Sequence, residues 1–223
     1  EQAVTSRTKA IIVTHLYGFM NDLSSIRDRL NVLGKNILLI EDCAQAHGAR
    51  LNGARAGSAG DLGAFSFYPT KNLGGLGDGG AVTCSQEVLA TSIRQLRQYG
   101  WKSKYEVVRP GGRNSRLDPL QAMILEQQLP ALDAQNERRR RVCRTYAENL
   151  PESWQIVYAA DDRFVAHLAV VIAPTKRDRD RARHVLLLNG IGTDIHYPVL
   201  DCDQPGWSGR GRLSGDLAIS RAV

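Results

Sequence analysis

The sequence predicts an α/β fold, a mainly parallel sheet with helices against it, followed by a small α+β C-terminal domain. Three observations carry this reading. Short continuous apolar runs such as Ile37-Leu38-Leu39-Ile40 suit strands buried on both faces of a sheet. These runs alternate with segments whose apolar residues recur at helical spacing. The residues able to do chemistry fall at the ends of the predicted strands, where open α/β sheets carry their sites.

Ala10-Ile11-Ile12-Val13-Thr14-His15 predicts a first strand that leads into the loop Leu16-Tyr17-Gly18. From Asp22 to Leu33 the apolar residues Leu23, Ile26, Leu30 and Leu33 have helical spacing, and Gly34 supplies a stop. Ile37 to Ile40 predicts a central strand ending in Glu41-Asp42. Gly63 to Tyr68 predicts another, halted by Pro69, and Gly80 to Cys84 a third, with a helix from Gln86 to Gln98. Leu117 to Leu150 reads as helical, interrupted at Pro130. Beyond Pro151, Trp154 to Tyr158 and His167 to Ala173 read as strands, Arg177 to Asn189 as a helix, and Ile191 to Tyr197 as a last strand. A boundary near Pro151 gives two domains, 1–150 and 151–223.

Bulk properties exclude several classes. A chain of 223 residues can bury a real core. No stretch approaches the ~20 consecutive apolar residues of a membrane helix. No signal peptide opens the chain, and Glu1 runs within a few residues into a buried-looking strand, so the expectation is of a chain cut within a domain. Cys43, Cys84, Cys143 and Cys202 are widely spread without a C-x-x-C pair, which predicts reduced thiols in a cytoplasmic protein. The five histidines show no metal-ligand spacing, so no metal is expected. The formal charge of +6 comes largely from arginines at 138–144 and 177–183. Both clusters lie on predicted helices and the second alternates in sign, so solvated faces rather than a nucleic-acid surface are expected.

The chemistry centres on Lys71. It follows Phe65-Ser66-Phe67-Tyr68-Pro69-Thr70 and precedes Asn72-Leu73-Gly74-Gly75-Leu76-Gly77-Asp78-Gly79-Gly80. A lysine amine in partly apolar surroundings loses its proton cheaply and can form a Schiff base with a carbonyl. Pyridoxal 5'-phosphate (PLP) uses that chemistry and needs an acid beside its pyridine nitrogen. Asp42, at the end of a central strand, can be that acid or a cap on the next helix. Gln45 can hydrogen-bond the cofactor's phenolic oxygen or act as a capping partner. Ser66 points away from the face of Phe65 and Phe67 and can donate to a phosphate. The glycines after Lys71 are not a P-loop, since no Lys-Ser/Thr follows at the required spacing.

Glu41-Asp42-Cys43-Ala44-Gln45-Ala46-His47-Gly48, Phe65 to Gly74 and Gly77-Asp78-Gly79-Gly80 together resemble the DegT/DnrJ/StrS family of PLP-dependent sugar aminotransferases of fold type I. His15-Leu16-Tyr17-Gly18, Asn114-Ser115-Arg116-Leu117-Asp118 with Gln121-Ala122, and Gly190 to Thr193 through His196-Tyr197-Pro198 extend the resemblance across the chain.

The resemblance implies a fold type I large domain, incomplete here, with a small C-terminal domain. It implies that Lys71 holds PLP and moves the proton, that Asp42 pairs with the pyridine nitrogen, that Gln45 meets the phenolic oxygen and that Ser66 binds phosphate. Asn114 would reach the phosphate bound by a neighbouring subunit, which implies a homodimer with shared active sites. His196 and Tyr197 would approach the sugar. Related dehydratases carry histidine at the lysine position, so Lys71 favours a transaminase. The implied reaction moves an amino group from an amino acid, glutamate by expectation, to a nucleoside-diphosphate-linked keto-sugar. The family has more chain on the N-terminal side and runs further at the C-terminus, so an alternative expectation is an inactive remnant serving only as an assembly partner. Arg113 stands where the family commonly has an aromatic residue.

Overall fold

The computed structural model describes residues 3–34, 36–211, 213 and 215–222. They divide into two compact units. The larger comprises Lys9–Tyr146 and Tyr158–Ala169, and the smaller takes the rest of the described chain. No helix among the described residues is long and apolar enough to cross a membrane.

The larger unit is built on a four-stranded sheet of order β1-β2-β5-β6. β1 (Ala10–Thr14), β2 (Leu38–Asp42) and β5 (Leu62–Ser66) are parallel, and β6 (Gly80–Thr83) closes the sheet antiparallel to β5. The sheet is therefore mainly parallel, as the continuous apolar runs predict. The crossover from β1 to β2 carries α1 (Ser24–Val32), which buries Leu30. Between β2 and β5 a small hairpin pairs β3 (Arg50–Leu51) with β4 (Ala54–Arg55). α2 (Glu87–Leu96) follows β6, and a second hairpin pairs β7 (Trp101–Ser103) with β8 (Glu106–Val107). Neither hairpin is legible as an apolar run, because each strand is two or three residues long and mostly exposed.

α3 (Pro119–Gln128) starts cleanly: Asp118 accepts from the Leu120 amide at 2.8 Å, and Pro119 takes the first helical position. Pro130 does not end the helical region. The chain tightens to a 3-10 turn over Leu129–Ala131, then continues as α4 (Leu132–Asn149). Leu73, Leu125 and Leu132 pack together with Phe67 and Leu117, which seats the segment after Lys71 on α3 and α4. A second cluster of Met20, Cys43, Ala46, Ala49, Ala56 and Val165 takes Leu51 and Phe65 against it. Each buried leucine or phenylalanine contributes roughly 2 kcal/mol of apolar burial.

In the smaller unit β9 (Gln155–Ile156) pairs antiparallel with β10 (Val171–Ile172), and α5 (Lys176–Leu188) follows. Thr175 caps α5 by accepting from the Asp178 amide at 3.1 Å. α6 (Ala218–Ala222) is a short helix near the C-terminal end. The expected strand over Ile191 to Tyr197 does not form: those residues have no ladder partner among the described residues. Gly190, Gly192 and Asp194 are poor strand formers and Pro198 cannot donate to a ladder, so the apolar alternation there is not enough.

Candidate active site

Parallel register decides which side chains share a face. Thr14 pairs with Asp42, and Asp42 with Ala64, so Thr14, Asp42, Ala64 and then Ser66 lie on one face at the C-terminal ends of β1, β2 and β5. The Thr14 hydroxyl donates to Asp42 Oδ2 at 3.4 Å, and the Ala44 amide donates to Oδ1 at 3.1 Å. Asp42 is thus held in place by neutral donors, with its negative charge uncancelled by any ion pair among the described residues. Ser66 Oγ accepts from the Tyr68 amide at 3.3 Å, which leaves its own hydrogen to donate.

Gln45 Oε1 accepts from the Tyr17 amide at 2.6 Å. This contact fixes the orientation of the carboxamide, with the NH2 opposite to the committed oxygen. Tyr17 itself sits at φ 60, and Gly18 at φ +95 packs so closely that a Cβ would lie 2.8 Å from Val165 and 2.9 Å from the Gln45 carbonyl. The loop after β1 is therefore tied to the segment after β2 through backbone.

Lys71 stands in a tight turn, its amide donating to the Tyr68 carbonyl at 2.9 Å, while the Gly75 amide donates to the Phe67 carbonyl at 2.8 Å. The side chain is half-buried and makes no hydrogen bond or ion pair with a described side chain. Glycine is required just beyond it. A Cβ on Gly74 would approach the Pro69 carbonyl to 2.7 Å, and one on Gly75 would meet Gln121 Oε1 at 2.5 Å. That Gln121 oxygen accepts from the Leu76 amide at 2.7 Å and pins the glycine segment.

The opposite face of β2 and β5 is structural. Glu41 is fully buried and accepts from His15 Nε2 at 2.9 Å and from the amides of Gly57, Ala59 and Gly60 at 2.9, 2.8 and 2.6 Å. The Asn21 amide donates to His15 Nδ1 at 3.1 Å, so the His15 proton is on Nε2 and the contact with Glu41 is a hydrogen bond. Burial pushes the Glu41 carboxyl up, but the bonds from His15, Gly60 and Gly57 outweigh it and hold it below the usual carboxylate range. His15, Glu41 and Cys43 cluster as metal ligands can. The His15 and Glu41 donor atoms are already committed, however, and burial first, then Glu41 and Asp42, pushes the Cys43 thiol up, away from the thiolate that a metal needs.

His47 is a different case. It is 2 % exposed, packed against Phe65 and Phe67 at ring separations of 5.4 and 6.1 Å, and neither ring nitrogen has a hydrogen-bond partner. Burial, and then the nearby charge of Lys71, lower its pKa to about 4. The Ser66 main chain opposes that shift in part, without meeting the ring in hydrogen-bond geometry.

Asn114 lies elsewhere on the larger unit. It is exposed, bridges to Gln98, and its Oδ1 accepts from Arg116 Nε at 3.0 Å rather than touching Asp42, Gln45, Ser66 or Lys71. His196 and Tyr197 belong to the smaller unit, where their rings meet edge to face at 5.1 Å. The structure therefore gathers Asp42, Gln45 and Ser66 at the strand ends and sets Lys71 in the turn after β5, while Asn114 lies elsewhere on the larger unit and His196 and Tyr197 belong to the smaller one. It adds residues that sequence reasoning missed: Thr14 on the Asp42 carboxylate, and a buried group of Asn72, Asn136 and His167 behind Lys71. Their only sequence signal is the adjacency of Asn72 to Lys71.

The face formed by Asp42 and Ser66 fits PLP by its donor set. It offers a carboxylate for a protonated ring nitrogen and a hydroxyl for a phosphate, and the following turn carries an amine without an ion-pair partner.

Comparison with known proteins agrees. The profile of the DegT/DnrJ/EryC1/StrS aminotransferase family matches residues 1–223. The chain is 40% identical over 230 residues to the dTDP-3-amino-3,4,6-trideoxy-alpha-D-glucose transaminase of Micromonospora megalomicea subsp. nigra, covering 100% of this chain and 60% of that protein. Among solved structures, S. venezuelae DesV in complex with a ketimine intermediate superposes with a TM-score of 0.86 at 40% identity, covering 99% of this chain and 58% of that one. NtdA of Bacillus subtilis with bound cofactor PMP gives 0.82 at 28% identity, covering 96% of this chain and 50% of that one. The chain thus spans 50 to 60% of the length of the proteins it matches here.

Proposed function

We propose that this chain, which belongs to the DegT/DnrJ/EryC1/StrS aminotransferase family, carries the PLP-binding and amino-transfer machinery of a nucleotide-sugar transaminase. The observation that carries the reading is the placement of Asp42 and Ser66 on one face at the sheet's C-terminal ends, with Lys71 in the turn after β5. The amino acceptor is a keto-sugar on a nucleoside diphosphate; the Micromonospora relative is named for a dTDP-linked amino-sugar. The donor is an amino acid, for which glutamate is the expectation.

When bound, PLP supplies an electron sink for the negative charge that develops at the carbon exchanging its amino group. Asp42 keeps a carboxylate against the ring nitrogen, and Thr14 and Ala44 hold that carboxylate still. Ser66 donates its hydroxyl hydrogen to the phosphate. Gln45, its oxygen committed to Tyr17, would offer its NH2 to the phenolic oxygen. Lys71 Nζ would hold the cofactor through its aldehyde carbon and, as the free amine once the donor's amino group has displaced it, would take the proton from the donor's α-carbon and return one to the sugar carbon that receives nitrogen. Asn114, exposed and bonded to Arg116 rather than to these four residues, would serve the phosphate of a second copy in a homodimer with shared sites. His196 and Tyr197 contact the sugar. Four free cysteines fit a reducing compartment, and the cytoplasm is the location of this reading.

Borohydride reduction of the protein with PLP, followed by peptide mass spectrometry, tests this. The expected result is one adduct on Lys71, lost in Asp42→Ala. Scattered labelling of exposed lysines in a folded protein would overturn it and leave the assembly-partner reading.

A further inference from the structure

Lys71 has to deliver its amine to one point, yet the bonds of its own turn fix only the shape of that turn. The Lys71 to Tyr68 and Gly75 to Phe67 contacts are local. Leu73 adds apolar packing, which is not directional. Gln121 pins only the glycine segment that follows, and among the described residues the side-chain bonds that reach from the turn itself to distant parts of the larger unit are made by the next residue. Asn72 is 6% exposed. Its Nδ2 donates to Asn136 Oδ1 on α4 at 2.8 Å and to the Val165 carbonyl at 2.9 Å. Its Oδ1 meets His167 Nδ1 at 3.0 Å. An amide oxygen can only accept, so that His167 nitrogen carries the proton.

The partners are themselves held. Asn136, 2% exposed, donates its own Nδ2 to the His47 carbonyl at 2.8 Å, at the end of the segment that begins with Asp42. Val165 donates its amide to the Gly18 carbonyl at 2.9 Å, and His167 donates its amide to the Tyr17 carbonyl at 3.1 Å. The carboxamide of Asn72 therefore ties the lysine turn to α4, to the loop after β1 and to the loop after β2. Those two loops are the ones that carry Gln45 and its partner Tyr17.

We propose that Asn72 is a positioning residue for Lys71, fixing the amine against the strand-end face that holds Asp42 and Ser66. Only a carboxamide offers two donors and an acceptor in one plane, and glutamine would carry it one methylene too far. Aspartate would keep the acceptor and lose both donors, and serine would keep one bond. The assignment rests on Lys71 being the residue that holds the cofactor, and the test separates the two claims.

Asn72→Ala, Asn72→Ser and Asn136→Ala are compared with wild type well below their melting temperatures, with folding followed by circular dichroism. Two readouts are taken. Competitive acetylation of the cofactor-free protein with trace acetic anhydride measures Lys71 reactivity against Lys9 and Lys102 in the same sample. Borohydride trapping measures the rate at which PLP is captured on Lys71. A shift of about tenfold or more in relative Lys71 acetylation in Asn72→Ala is expected, with slower capture of PLP. Asn72→Ser and Asn136→Ala, which each retain part of the bonding, should fall between. In turnover, misplacement by about 1 Å costs on the order of a hundredfold in kcat, with donor KM little changed.

If Asn72→Ala does not fold, the two milder variants decide. Folded variants that acetylate and capture PLP on Lys71 like wild type would overturn the proposal. A wild type that captures no PLP on Lys71 would overturn the proposed function instead, and the acetylation ratio would still decide the positioning role of Asn72.

Discussion

Acid should loosen this fold through His47, by an amount the structure specifies. The ring is 2 % exposed and unpartnered, and its pKa falls from 6.5 to about 4, chiefly by burial. The unfolded chain therefore binds a proton between those values that the folded protein refuses. The folded pKa is the depressed one, so the contribution is fully present above pH 6.5 and is lost as pH falls toward 4. Linkage at pH 5 gives a loss of about 2 kcal/mol relative to pH 7, with about 3 kcal/mol reached below pH 4.

The perturbation is His47→Leu, which keeps an apolar body beside Phe65 and Phe67 and removes the titration. At pH 7 the variant should stay within about 1 kcal/mol of wild type, since no hydrogen bond is lost. Urea unfolding at pH 7, 6 and 5 measures the difference, and other titrating groups cancel in the comparison. Wild type should lose about 2 kcal/mol more than the variant across that range. Parallel losses in the two proteins would refute the reasoning, and so would a His47 ring signal, assigned by its loss in His47→Leu, titrating near 6.5 in the folded protein.

Other outcomes follow from the same packing. Glu41→Ala strips the acceptor from His15 and from three backbone amides and should cost about 3 kcal/mol or more in urea unfolding. Gly63→Ala places a Cβ 2.4 Å from the Gly57 Cα, where backbone rather than a side-chain tip must yield. A loss of about 2 to 3 kcal/mol, or failure to express folded, is expected. Iodoacetamide on the native protein should modify Cys84 and Cys202 and spare Cys43 and Cys143, whose thiols burial removes from solvent and pushes up; peptide mass spectrometry reads this directly.

Much of the larger unit was legible in the sequence. The runs at Ala10 to Thr14 and Leu38 to Ile40 read as strands because both are short and continuously apolar, although β1, at the end of the strand order, is exposed on one face. Asp42, Gln45, Ser66 and Lys71 stood out because a carboxylate, a carboxamide, a hydroxyl and an amine at strand ends and turns are chemically conspicuous. The last expected strand, Ile191 to Tyr197, failed because alternation does not by itself supply a pairing partner. The short hairpins at 50–55 and 101–107 escaped for the opposite reason: pairing neighbours made strands that no apolar pattern announces.

The sequence by itself determined the family and which groups are candidates for the chemistry, since both reside in residue types and their order. Tertiary structure decided which of those groups share a face, because parallel register sets Asp42 beside Ala64 and so aligns Ser66 with it. It also decided that Glu41, adjacent to Asp42, is a buried anchor, because successive residues of a strand point to opposite faces. The return of Tyr158–Ala169 to the larger unit, which brings Val165 and His167 onto Asn72, is a contact across more than ninety residues. No local pattern encodes such a meeting; it exists only once the chain has folded and a buried carboxamide has to find its three partners.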